Sequence, residues 1–108
     1  MSKYDEFIVA LSEGAKGLAK DIFKGFEDQA TEDARAFARK TETDLKRWTQ
    51  QLALKQIDRE EFGDFVKAKQ AVIEMQALTQ AGIAAIKLEK YRKGLIDLVV
   101  NNACKIFN

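Results

Sequence analysis

No proline occurs anywhere in the 108 residues, although average usage would supply several in a chain of this length. Proline removes a backbone donor and clashes with the preceding helical turn, so a chain without it can stay helical over long stretches. The residues that replace it point the same way. Ala, Lys, Glu and Gln fill the small and polar positions, and these favour helix over strand. Seven Phe, one Trp and many Leu and Ile supply enough apolar surface for one core, too little chain for two independent domains. The sequence therefore predicts a single all-α domain over residues 1–108.

Helical spacing organises the N-terminal half. Ser2 is placed to cap a helix, with Asp5 closing a capping box, and the first turn carries Asp5 and Glu6. Phe7, Leu11, Ala15, Leu18, Ile22 and Phe26 then recur at spacings of three and four, widened by Ile8 and Phe23. Lys16, Lys20, Lys24 and Asp21 form the solvated side. Ala10, Gly14 and Gly17 leave a low strip over which another helix can pass closely. The Gly14-Ala15-Lys16-Gly17 cluster lacks the other residues of a phosphate-binding loop.

A second amphipathic run follows through Ala34, Phe37, Thr41, Leu45, Trp48 and Leu52. Thr31, followed by Glu32 and Asp33, resembles a helix start, which predicts a turn near residues 28–31. The competing reading is one unbroken helix, because the apolar period passes through Phe26, Ala30 and Ala34 nearly in phase. The main turn is expected at 55–58. There Asp58 caps the next helix, Glu61 closes a second capping box, and Ile57 and Phe62 flank the cap as a hydrophobic staple.

Beyond Asp58, Phe62, Phe65, Val66, Val72, Ile73, Met75, Leu78, Ile83 and Ile86 make a broad apolar surface, continued by Leu88, Tyr91, Leu95, Leu98, Val99 and Ile106. The expectation is one long or gently bent helix from about 59 to 105, with a break near Gly82 or Gly94 as the alternative. Such a helix would span roughly 70 Å. Two architectures satisfy these patterns: an antiparallel bundle of three or four helices, or a long helical hairpin completed by dimerisation. Leu95, Ile96, Leu98, Val99 and Val100 surround the last helix almost completely, which suggests partners on every side.

Histidine is absent, which excludes histidine-based triads, and one cysteine cannot build a zinc site. Cys104 is expected as a buried, inert thiol. Glu60, Glu61 and Asp64, and separately Glu27, Asp28, Glu32 and Asp33, fall at predicted helix starts, where acids are favoured by the helix dipole. Glu74 is expected on the outer side of a helix with Gln70 and Lys67. Arg35, Arg39, Lys40, Lys46 and Arg47, like Lys87, Lys90, Arg92 and Lys93, are interleaved with acids. Eighteen basic residues against seventeen acidic ones offer no general attraction to nucleic acid, although Tyr91 beside the second basic group could touch phosphate. The window 70–86 contains too many polar groups to span a bilayer. The first residues lack a basic-then-apolar leader, so residence in the cytoplasm is the expectation.

No catalytic residue, metal ligand or cofactor is implied. Phe7, Leu11, Gly14, Leu18, Phe37, Trp48 and Leu52 are the candidate packing or interface residues of the first half, and Phe65, Val72, Leu78, Gly82, Leu95 and Val99 those of the second. They predict a non-catalytic helical protein that acts by association with itself or with a partner helix. A helical bundle bound to a membrane surface is the alternative, and a carboxylate-based enzyme of small molecules the third.

Overall fold

The side chains of Ser2 and Asp58 each start a helix by accepting a backbone N–H three residues on. A computed structural model describes residues 2–107. In it the Ser2 hydroxyl accepts the Asp5 N–H at 3.1 Å, and the Asp58 carboxylate accepts the Glu61 N–H at 2.8 Å. Asp5 and Glu61 return the bond to the backbone of Ser2 and Asp58, completing both boxes. The described residues form six α-helices: α1 (Lys3–Ile22), α2 (Glu27–Lys40), α3 (Glu42–Ala53), α4 (Arg59–Ala68), α5 (Gln76–Gln80) and α6 (Ala85–Phe107). A single 3-10 turn lies at Gln70–Val72.

The first reversal falls at residues 23–26 and not at 28–31. Gly25 takes φ +88°, a conformation open to glycine at little cost, and α2 begins two residues later. Thr31 is inside α2, and its hydroxyl donates to the Glu27 carbonyl instead of capping a new helix. A further joint separates α2 from α3 at Thr41, whose buried hydroxyl donates to the Phe37 carbonyl at 2.7 Å. The turn after α3 occupies 54–58, with Lys55 at φ +60°.

The long helix expected over 59–105 is interrupted twice. Residues 73–75 are not helical, and the alternation there explains why: Ile73 and Met75 are buried while Glu74 between them is exposed. A strand-like period of two delivers both apolar side chains to the core, which a helix cannot do at adjacent alternate positions. Glu74 is therefore exposed as expected, but not from a helix shared with Gln70 and Lys67. The second break follows α5 at Gly82, φ +87°; Gly94 lies within uninterrupted α6. Extents of 41 × 27 × 21 Å and a radius of gyration of 13.4 Å replace a rod of roughly 70 Å, and match the value of about 13 Å typical of a folded chain this long.

α1 packs against both α2 and α6, and α4 and α3 also reach α6. α1 and α6 run antiparallel, in a register set by reciprocal notches. A Cβ at Gly14 would come within 2.8 Å of Leu98, and one at Gly94 within 2.6 Å of Leu18. Each helix thus receives the other's leucine where it has no side chain of its own. Phe7 meets Phe107 with ring centroids 6.0 Å apart, and Phe23 meets Tyr91 at 5.7 Å, in the same register. The apolar stripes are covered within one chain. Neither three or four helices nor a long two-helix hairpin describes the chain: the described residues form a compact multi-helix domain of six α-helices, because the stretches expected as single helices are broken at Gly25, Thr41, 73–75 and Gly82.

Candidate functional site

The association residues inferred from spacing converge on the interior. Phe7, Leu11, Phe37, Leu52, Leu78, Leu95 and Val99 are buried, as is Trp48, whose ring lies 5.4 Å from that of Phe65. Leu18, Phe65 and Val72 are half-buried against the same core. Gly14 sits under Leu98, and Gly82 is on the surface, where its positive φ turns the chain. These side chains hold the fold, so a surface that meets another molecule has to be sought elsewhere.

Among the described residues one charged residue is buried. Asp33, 5 % exposed, leaves the acidic group at the start of α2 and points across to α5. Its two carboxylate oxygens accept the N–H groups of Ala77 and Leu78, both at 2.9 Å. Met75, at φ 52° and ψ 46°, begins α5 in a left-handed conformation and offers no side-chain cap, so Asp33 does that work from another helix. One turn earlier on α2, the Ala30 carbonyl accepts the Tyr91 hydroxyl at 2.6 Å. Burial, reinforced by the charge of Asp33, pushes the Tyr91 phenol well above its ordinary range. Tyr91 is thereby committed to the core and is not available to phosphate.

The clamp leaves an open cleft of about 590 Å³ between α2 and residues 72–81. Buried Phe37 and Met75 give it apolar wall, while exposed Glu32, Arg39, Lys40 and Glu74 set both charge signs around it. Lys40 pairs with Glu74 across the two sides. The hydrogen bond from Lys40, together with its charge, holds the Glu74 carboxyl below the usual range, and Gln76 adds a further donor. No local pattern in the sequence assigns Asp33 this role, because its partners are 44 and 45 residues away.

Several of the other charged groups are engaged locally. Glu60 and Glu61 occupy the first turn of α4, Lys46 pairs with Glu42, Arg47 with Asp44, and Arg92 with Glu89. Among the described residues no three Cys, Asp or Glu side chains converge as a metal-binding group. No helix among them is long and apolar enough to cross a membrane. Cys104 is half-buried with a free thiol. Comparison with protein families, with curated proteins and with solved structures finds no match.

Proposed function

We propose that this chain is a non-catalytic helical protein that acts by association, through the cleft between α2 and residues 72–81, with a second copy of itself. The observation that carries the reading is the clamp of Asp33 on Ala77 and Leu78, which makes one wall of the cleft as rigid as the other. At the cleft Asp33 is matched to backbone and Lys40 to Glu74, while exposed Glu32 and Arg39 are in no ion pair among the described residues, so it presents shape and a charge pattern. That pattern is self-complementary. With Lys40 and Glu74 already paired within each chain, a two-fold axis across the cleft sets Arg39 of one copy against Glu32 of the other, an isologous contact that needs no third component. Few large apolar side chains remain exposed, so the association is reversible rather than a condition of folding.

Light scattering coupled to gel filtration tests it, at concentrations up to about 1 mM, the range of weak complexes. The expected result is a concentration-dependent dimer. Arg39→Glu and Glu32→Arg each weaken it by placing like charges together, and the double variant restores it. A strict monomer throughout that range overturns the proposal.

A further inference from the structure

Between α4 and α6, residues 70–83 lie over the core as a strap made of the 3-10 turn, the non-helical residues 73–75 and the five-residue α5. Its backbone hydrogen bonds close over short spans. The N–H groups of Val72, Ile73, Thr79, Ala81 and Ile83 donate to the carbonyls of Lys69, Gln70, Met75, Ala77 and Leu78. Among the described residues no backbone hydrogen bond outside the helices joins the strap to α1, α2, α3 or α6. Side chains attach it instead, and two of the three attachments are weak. The Lys40–Glu74 pair is about half exposed at both ends, where an ion pair contributes little. Arg92 reaches the Ile73 carbonyl at 3.4 Å, the long limit of a hydrogen bond. The third is Asp33, which holds two successive amides of α5.

The apolar grip of the strap is small beside that of the rest. Ile73, Met75 and Leu78 are buried, whereas Gln70, Ala71, Glu74, Gln76, Thr79 and Gln80 are exposed, and α5 packs chiefly on α2. α1 and α6 bury far more and are interlocked through Gly14 and Gly94. Lifting the strap therefore exposes a fraction of the apolar surface that unfolding the other helices would. It also frees Met75 from φ 52°, a conformation that a residue other than glycine holds at a cost. The two ends of the strap differ. Lys69, just before it, is paired with Asp44 of α3 and fixes its start. Gly82, near its end, is exposed at φ +87° with open space around it, so the chain can turn there.

We infer that residues 70–83 leave the core as one body, with Asp33 as the latch and Gly82 as the hinge, while α1, α2, α3, α4 and α6 stay folded. Release is concerted because one carboxylate holds both Ala77 and Leu78, and losing it frees the start of α5 at once. While the latch holds, this wall of the cleft is rigid. When it lets go, the side of α2 that carries Phe37 loses the cover of Val72 and Met75, which line the cleft with it. The opening belongs to the single chain and does not depend on a second copy.

Amide hydrogen exchange of the full chain tests this, at about 10 μM, below the range of weak complexes. The amides of Ala77, Leu78, Thr79 and Ala81 should exchange with one common protection factor, about tenfold or more lower than that of Leu11, Leu95 and Val99. Leu18→Ala, which empties the notch at Gly94, should speed Leu11, Leu95 and Val99 about tenfold and leave the four strap amides at the wild-type rate, because they exchange without breaking that contact. Asp33→Asn should speed both groups, since it destabilises the closed form relative to every open one. Strap amides as protected as Leu95, or accelerated along with it by Leu18→Ala, open only with the whole molecule and overturn the inference. So do four unrelated protection factors in the strap, which describe fraying, and so does an absence of protection at Ala77 and Leu78 in the wild type, which means that the latch does not form.

Discussion

The carboxylate of Asp33 binds the backbone N–H of Leu78 at 2.9 Å, joining the middle of α2 to the start of a helix 45 residues later. The second oxygen takes Ala77 in the same way, so two amide groups of α5 depend on one side chain. Asp33→Ala leaves those donors without their partner, the Leu78 amide in a buried setting and the Ala77 amide in a part-buried one. A loss of about 2–4 kcal/mol in urea denaturation is expected, and Asp33→Asn, which keeps one acceptor, should lose less. Equal stability of Asp33→Ala and wild type would show that the clamp does not form.

Both tyrosines should titrate late. Burial, followed by the charges of Glu42 and Asp5, pushes the Tyr4 phenol up to about 12, and Tyr91 is raised further in the same direction. The native state thus holds these protons more tightly than the unfolded chain does. Their contribution to stability is complete below pH ~10, where unfolded tyrosine ionises, and declines as pH rises toward the native values. Ultraviolet titration of the phenolates should show midpoints above that of free tyrosine until the protein unfolds. Normal midpoints in a chain that still gives a native circular dichroism spectrum would refute the placement of both rings. Separately, Tyr91→Phe removes the donor to the Ala30 carbonyl and should cost about 1–2 kcal/mol.

Two glycines of similar helical context should respond with opposite sign. Nothing lies within 4 Å of a Cβ built at Gly17, so Gly17→Ala should stabilise by about 0.5–1 kcal/mol through helix propensity. At Gly94 any side chain displaces Leu18, and Gly94→Leu should destabilise by about 1–3 kcal/mol. Thermal unfolding of the two variants compares them directly. Destabilisation by Gly17→Ala, or tolerance of Gly94→Leu, would mean that α1 and α6 meet along other faces.

Leu78 is fully buried at the centre of α5, beside the amides that Asp33 holds. Leu78→Ala should cost about 2–5 kcal/mol, and a charge in the form of Leu78→Asp more than that. Wild-type chemical stability in either variant would place α5 outside the core.

What could be read in advance divides by the range of the interaction. The capping boxes at Ser2 and Asp58 are written within four residues, and they form. Ala15, Leu11 and Phe7 announce a helix face by their spacing, and they are buried. Gly14 was legible as a place for close approach, though the leucine that fills it comes from 84 residues away. The interruptions were harder. Neither Thr41 nor Met75 is a glycine or proline, and the apolar period runs through both positions, so local preference supports an unbroken helix. Only the tertiary arrangement makes a bend at Met75 favourable, by burying Ile73 and supplying Asp33 as a distant cap. The same locality misplaced the first turn: Thr31 has the chemistry of a cap, but Gly25, four residues after Asp21, has the conformational freedom the reversal uses. For the cleft, the acids and bases were visible as groups, while their pairing of Lys40 with Glu74 depended on a fold with the long helix broken.

The notches of α1 and α6 also constrain when the protein can fold. Sliding α6 along α1 by one turn would set Leu98 on Leu18, so the pair admits one alignment, and it joins the helices most distant in the chain. On the ribosome, α2 can cover one side of α1 early, while the side that meets α6 must wait through the synthesis of everything between them. The mature core then closes late and from its two ends, and a permutant that links Phe107 to Lys3 through a short bridge should fold faster than the natural order of helices, because its last step becomes a local one.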